Sequence, residues 1–342
     1  MKRIFFFSLS GIAFFFLGFF GWDFLLGALP QESAIVSAPD SFLAVREESG
    51  EAREVVMLFV GDIMLSRGIE YYMKKKNDWV YPFRSVGDII QSADIAVGNL
   101  EGPISDKGAR AGSIYSFRAD PRAVEGLAFA GFDVLSVANN HIWDYGSEAF
   151  LDTLRILNEN GILYAGGGRD YAEAHAPAMK ETNGITFAFL SYTDLVPVSV
   201  ATEASSPAVA FAQKEIIIRD IESAKERADI VVALFHWGVE YAPRHNALQE
   251  DLAHAAIDAG AKLIIGHHPH VVQDTEEYGG GFIAYSLGNF IFDQNFSEET
   301  SRGLMLRVVA RGSAVESIEE LPVSFTHEFE PVLEHTAPQD DF

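Results

Sequence analysis

The stretch Lys262-Leu-Ile-Ile-Gly-His-His-Pro-His-Val-Val-Gln273 stops a short apolar run at a glycine and then sets three histidines within four positions. It reads as the end of a buried strand opening onto a metal. Pro269 disfavours helical backbone for His268 and has no N–H, so His268 and His270 are expected on an extended segment. Side chains two apart on such a segment face the same way, and neutral imidazole is the commonest side-chain metal ligand. The competing reading is a histidine-rich surface loop, or core histidines satisfied by backbone carbonyls. The choice between them rests on the remainder of the chain.

The same grammar recurs on both sides of this stretch. Val55-Val-Met-Leu-Phe-Val60 runs into Gly61-Asp62, and Asp94-Ile-Ala-Val-Gly98 into Asn99-Leu-Glu101. Phe132-Asp-Val-Leu-Ser-Val-Ala138 runs into Asn139-Asn-His141, and Ile185-Thr-Phe-Ala-Phe-Leu190 into Ser191-Tyr-Thr-Asp194. Asp229-Ile-Val-Val-Ala-Leu-Phe235 leads to His236-Trp-Gly, and Phe282-Ile-Ala-Tyr285 to Ser286-Leu-Gly-Asn289. Continuous apolar runs of this length suit strands buried on both faces. Between them, 147–160, 213–228 and 248–259 carry helical spacing, the first and last closed by Gly161 and Gly260. Strands alternating with helices indicate an α/β domain.

Ligands collect at the carboxyl ends of strands in such sheets. Those ends supply Asp62, Asn99, Glu101, Asn140, His141, His236, His268 and His270, and five of the ten histidines lie in these motifs. Oxygen and imidazole donors without sulfur suit Mn, Fe or Zn better than Ca, and a shared carboxylate between two half-shells suits two ions. Asp62, Asn99 and Glu101 have a plainer reading as turn residues. Asn139, Asn140 and His141 are harder to dismiss, because amides and an imidazole following a buried strand are costly unless satisfied. Asp144 begins the next helix or orients His141. Gly166-Gly-Gly168 lacks the lysine and spacing of a phosphate loop and reads as a turn. His245 reads as a surface residue or a substrate contact, and His175, His254, His327 and His335 as structural.

The net charge of -24, from 25 Lys+Arg against 49 Asp+Glu, argues against a nucleic-acid partner. The chain has no cysteine, which excludes disulfides, thiolate ligands and lipidation on an N-terminal Cys. Lys2-Arg3 precede an apolar run, and residues 1–30 are expected to form an uncleaved signal anchor, with cleavage as the alternative. Residues 31–54 read as a flexible linker, 55–325 as the folded domain and 326–342 as an acidic tail. The expected location is the cell membrane, single-pass, with the domain on the extracytoplasmic side.

Val60-Gly-Asp-Ile-Met-Leu65, Gly98-Asn-Leu-Glu101, Ala138-Asn-Asn-His-Ile-Trp-Asp-Tyr-Gly146, Phe235-His-Trp-Gly-Val-Glu240, Ile265-Gly-His-His-Pro-His-Val271 and Tyr285-Ser-Leu-Gly-Asn-Phe290 together resemble the CapA family of poly-γ-glutamate capsule biosynthesis proteins. The resemblance implies a calcineurin-like metallophosphoesterase fold, a two-sheet α/β sandwich flanked by helices. It implies Asp62, Glu101, Asn140, His236, His268 and His270 as ligands for a divalent metal, two ions of Mn, Fe or Zn, with His141 as general acid. Asn99, Asn139, Asp144, Glu240, His267 and Asn289 are left as supporting or substrate-contacting residues. The chain departs from the broader phosphoesterase pattern after Asp62, where Ile63 and Met64 replace an Asp-x-His pair and Glu101 stands in for the histidine. The functional expectation is a membrane-anchored, metal-dependent hydrolase acting on an anionic polymer or phosphoester in capsule synthesis or export. The alternatives are a non-enzymatic subunit of a polyglutamate synthase or export complex with a structural metal, and a surface phosphatase unrelated to capsule.

Overall fold

The computed structural model describes residues 54–112, 114–197 and 206–334. The expected anchor and nearly all of the linker, together with the last eight residues, lie outside them. Among the described residues no helix is long and apolar enough to cross a membrane.

In chain order the strands are β1 (Glu54–Ile63), β2 (Ile95–Leu100), β3 (Val134–Ser136), β4 (Leu163–Ala165), β5 (Gly167–Gly168), β6 (Ala178–Thr182), β7 (Ile185–Thr193), β8 (Ala208–Val209) and β9 (Ile230–His236). They continue as β10 (Leu263–His267), β11 (Thr275–Tyr278), β12 (Gly281–Ala284), β13 (Asn289–Ile291), β14 (Arg302–Arg311), β15 (Ala314–Phe325) and β16 (Pro331–Leu333). The described helices are α1 (Arg67–Lys76), α2 (Gly87–Gln91), α3 (Val124–Ala130), α4 (Gly146–Glu159), α5 (Tyr171–Ala174), α6 (Lys214–Lys225) and α7 (Ala247–Ala259).

One large sheet runs β16-β15-β14-β1-β2-β3-β4, with β13 also paired to β1, a second runs β11-β12-β10-β9-β7-β6, and β5 and β8 form a separate two-stranded sheet. The period-2 alternation of each strand explains how the sheets stack. Val55, Met57 and Phe59 of β1 face Ile230, Val232 and Leu234 of β9 in one cluster between the sheets. Leu58 and Val60 turn the other way and pack with Ile69, Met73, Leu127 and Phe150 of the helices. Val231, Ala233 and Phe235 likewise meet α6 and α7. The result is a two-sheet sandwich with helices on both outer faces, as expected.

β1 does not end at Gly61-Asp62 but continues to Ile63 by changing partners. Along Glu54–Phe59 it pairs antiparallel with β14, and at Asp62 and Ile63 it pairs parallel with β13. Gly61 permits the switch: a Cβ there would lie 2.1 Å from the carbonyl oxygen of Gly288. Two sequence readings need correction. Gly166-Gly-Gly168 is not simply a turn, because Gly167 and Gly168 pair antiparallel with Val209 and Ala208. Nor is the stretch from 326, read as an acidic tail, without regular structure, because Pro331–Leu333 closes the edge of the first sheet against Val323–Phe325.

Candidate metal centre

The sheet registers bring the site together. Asp62 lies between Asn99 of β2 and Asn289 of β13, its partners in the two parallel ladders. On the facing sheet His236 and His267 are register partners at the ends of β9 and β10. Asp62, Glu101, His236, His267, His268 and His270 are all buried, none more than 5% exposed. One donor atom from each of Asp62, Glu101 and His236 can be chosen so that all lie within 4.8 Å of one another.

Asn99 is the central brace. Its Nδ2 donates to Asp62 Oδ1 at 2.8 Å and lies 3.2 Å from His236 Nδ1. The other side of His236 meets Asn140 Oδ1 at 2.8 Å. The buried Asn139 is satisfied: it donates to Asn99 Oδ1 and the Leu100 carbonyl and accepts from the N–H of His141. His270 Nδ1 lies 3.1 Å from Asn289 Oδ1 and 3.4 Å from Asp62 Oδ2, and its Nε2 lies 3.7 Å from Glu101 Oε1. His141 Nε2 faces the same carboxylate oxygen at 3.8 Å.

The segment carrying His268 and His270 is not extended. Strand β10 ends at His267, and His268 and His270 have φ of 98° and 58°. Proline removes the right-handed helical option for His268 but leaves the left-handed side open. The N–H of His268 donates to Asp62 Oδ2 at 3.2 Å, a contact that helps hold this conformation. Left-handed backbone at non-glycine residues costs on the order of 1–3 kcal/mol each and collects at functional sites. The rings nevertheless meet, with centroids 5.8 Å apart.

The electrostatics are those of a site short of positive charge. Burial pushes the Glu101 carboxyl well above its usual range, and both of its oxygens lack a hydrogen-bond partner among the described residues. His268 Nδ1 is orphaned in the same way, and burial together with the neighbouring His270 presses its pKa down to about 3. Burial and the other imidazoles hold His236 well below its ordinary value. Burial opposes charge on His270 too, but Glu101 and Asp62 outweigh it and raise its pKa to about 9. Burial would also raise Asp62, yet His270, His267 and Asn99 hold it below the usual carboxylate range. Buried polar atoms without partners are expensive. The grouped oxygens of Asp62 and Glu101 and the imidazole of His236, with the unpartnered His268 Nδ1 nearby, form a donor set that fits a divalent cation of the Mn, Fe or Zn type.

Around these donors, Asp144 Oδ2 binds His141 Nδ1 at 2.7 Å and also accepts from the N–H of Phe117. Helix α4 starts at Gly146 with Tyr145 as its cap residue, so Asp144 turns to His141 rather than capping the helix. His267 is held by the Val60 carbonyl at 3.2 Å. Glu240 stays exposed, although its charge reaches Glu101 and His270. Met64, at the position of the missing histidine, is fully buried in the apolar core, and its sulfur accepts from the N–H and hydroxyl of Ser66.

Sequence reasoning missed four neighbours. Phe117 stacks on His141 at 3.9 Å, Phe292 packs 4.8 Å from His270, Tyr241 lies 6.2 Å from His270, and Arg67 sits over Phe117 at 4.6 Å. Phe117 and Tyr241 come from irregular segments where periodicity carries no signal. His245 stacks on Tyr285 at 3.8 Å and binds Asp274, a structural role. His175 and His254 are likewise engaged, with Asp220 and Glu276.

A profile of the family described as bacterial capsule synthesis protein PGA_cap matches residues 56–294. Capsule biosynthesis protein CapA of Bacillus anthracis is 34% identical over 263 residues, covering 75% of this chain and 64% of that protein. PGA biosynthesis protein CapA of Bacillus subtilis (strain 168) is 37% identical over 251 residues, covering 72% of this chain and 66% of that protein. The chain thus spans just under two thirds of the length of these two relatives. Among solved structures, a putative 5'-nucleotidase from Staphylococcus aureus aligns with a TM-score of 0.51 and 16% identity over 81% of this chain and 55% of that one. A calcineurin-like phosphoesterase, YfkN from Bacillus subtilis, aligns with a TM-score of 0.46 and 16% identity over 80% of this chain and 91% of that one. At 16% identity the likeness to the nucleotidase is one of fold. The matched span takes in every residue gathered at the site, and the chain belongs to the PGA_cap family of bacterial capsule synthesis proteins.

Proposed function

We propose that the folded unit is a metal-dependent hydrolase of the phosphoesterase type that acts outside the cytoplasm in poly-γ-glutamate or capsule synthesis, tethered to the membrane through residues 1–30. The observation that carries this reading is Glu101, buried with both oxygens unpartnered among the described residues, between Asp62, His270 and the free face of His141. Asp62, Glu101, Asn140, His236, His268 and His270 would hold the cation. When bound, a divalent ion supplies Lewis acidity that polarises an ester or acyl oxygen and makes water nucleophilic near neutral pH.

The chain's own residues do the remainder. Asn99 fixes Asp62 and His236 relative to each other, and Asn289 fixes His270. Asp144 accepts from His141 Nδ1–H and so fixes the ring with Nε2 facing the cluster; in the doubly protonated imidazolium, Nε2–H is the proton that would pass to a leaving oxygen. Phe117, stacked on the same ring, shields it from water.

A second reading is a non-enzymatic subunit of a polymer synthesis or export complex with a structural metal. Met64 favours it, since an apolar core residue stands where a ligand is missing. Hydrolysis of bis(p-nitrophenyl) phosphate by purified, metal-supplied protein separates the two. The hydrolase reading predicts turnover that His141→Ala removes without loss of bound metal. Full metal loading with no turnover beyond that of the variant would leave the subunit reading.

A further inference from the structure

Arg67 stands beside the aromatic rings that border the candidate site. It is the first residue of α1 and adopts φ of 51°, left-handed backbone at a non-glycine position. Its guanidinium lies 4.6 Å over the Phe117 ring and 5.8 Å from that of Phe292. Those two rings pack on the imidazoles of His141 and His270, so the cation stands one aromatic layer beyond both sides of the site.

Its partner is Asp293, bound through Nε at 3.1 Å and through Nη2. Nη1 has no hydrogen-bond partner among the described residues. Asp293 has a second donor besides the arginine. It also accepts from the N–H of Gly68 at 3.0 Å, packed so closely that a Cβ on Gly68 would meet its side chain at 3.0 Å. The carboxylate is the more buried partner, with 12% of its side chain exposed against 35% for the arginine. The guanidinium can therefore swing to another anion while Asp293 keeps a donor.

The charge of the chain gives this a use. A protein of net charge -24 repels anionic polymers, and the exposed Glu240 adds to the repulsion beside this site. A polyanion needs positive charge at more than one point to enter. A guanidinium, planar and permanently charged, is suited to a carboxylate or phosphate.

We propose that Arg67 is a specificity-determining residue that binds a second oxyanion of the substrate, one aromatic layer away from the reacting bond, by exchanging it for Asp293. The substrate class is then a chain with repeated anions, such as γ-linked glutamate, rather than a simple monoester. This rests on the hydrolase-site reading above for the position of the reacting bond.

The test is calorimetric titration of the metal-supplied full-length protein with two probes, a γ-linked glutamate trimer and inorganic phosphate. Arg67→Ala and Arg67→Gln are expected to weaken the trimer at least tenfold and phosphate much less. Asp293→Asn, which removes the competing charge, is expected to tighten the trimer severalfold, an effect that a merely structural ion pair would not produce. Equal trimer affinity in wild type and both arginine variants would overturn the assignment, as would a metal-loaded wild type that binds phosphate but not the trimer. A protein that takes up no metal would sink the hydrolase reading instead, and the trimer comparison would still judge Arg67.

Discussion

The Nδ1 atom of His141 lies 2.7 Å from Asp144 Oδ2, and the same carboxylate oxygen accepts the backbone N–H of Phe117, whose ring stacks on the imidazole. One carboxylate thus positions both the proposed acid and the ring that covers it. Removing such a supporting partner typically costs about 10–100-fold in activity or metal affinity. Asp144→Asn is therefore expected to lower kcat on a chromogenic phosphodiester by that order while metal content stays at the wild-type level. Unchanged kcat would remove Asp144 from the account.

Metal uptake should release protons. His270, raised to about 9, carries a proton at neutral pH, and burial favours one on Glu101 as well. Ligands must shed these protons, so affinity is expected to rise with pH by about tenfold per unit for each proton displaced, levelling off above pH 9. The sign follows from the raised pKa: below it the cation competes with a proton, and above it the competition ends. Titration in buffers of different ionisation enthalpy counts the protons directly.

Gly61 tests the coupling of fold to site. An alanine Cβ would press into the Gly288 carbonyl at 2.1 Å and force β1 away from β13 beside Asp62. Overpacking of this kind costs about 1–3 kcal/mol. Gly61→Ala is expected to lower the melting temperature and the metal stoichiometry together. A loss of stability with full metal binding would show that the β1–β13 switch does not position Asp62.

Asp152, away from the site, predicts acid behaviour. Burial would raise its carboxyl, but Lys107, Ser105 and Arg155 hold it below the ordinary aspartate value of 3.8. A depressed folded pKa gives stability that is present above 3.8 and is lost as pH falls through the folded value. Lys107 and Arg155 are about half exposed, so solvent screening keeps the contribution of these pairs near ~1 kcal/mol. Asp152→Asn should lower stability by that order at pH 7, with the difference from wild type vanishing in strong acid. A difference that does not change with pH would contradict the charge argument.

Much of this was legible in sequence because buried strands announce themselves as apolar runs, and their polar ends name the site. Asp62, Asn99, Asn139, His236 and His267 fall where those runs stop, and register alone then brings the sheets' ends together. The conformation of His268 and His270 was not legible, since the proline rule cannot distinguish extended from left-handed backbone. The contact that selects the latter is made with Asp62, 206 residues away. Phe117 and Arg67 were hidden for a related reason. An irregular segment has no period, and a cation over an aromatic ring exists only once distant chain segments are packed. β16 escaped notice because a three-residue strand that itself begins with a proline carries too little pattern to stand out from a tail.

The central claim is that strand-end carboxylates and imidazoles hold a divalent cation. Elemental analysis of the purified full-length protein, beside a His268→Ala, His270→Ala double variant, tests it most directly. The account predicts near-stoichiometric Mn, Fe or Zn in the wild type and its loss in the variant. No bound metal in either protein, when the metals are supplied, would contradict it.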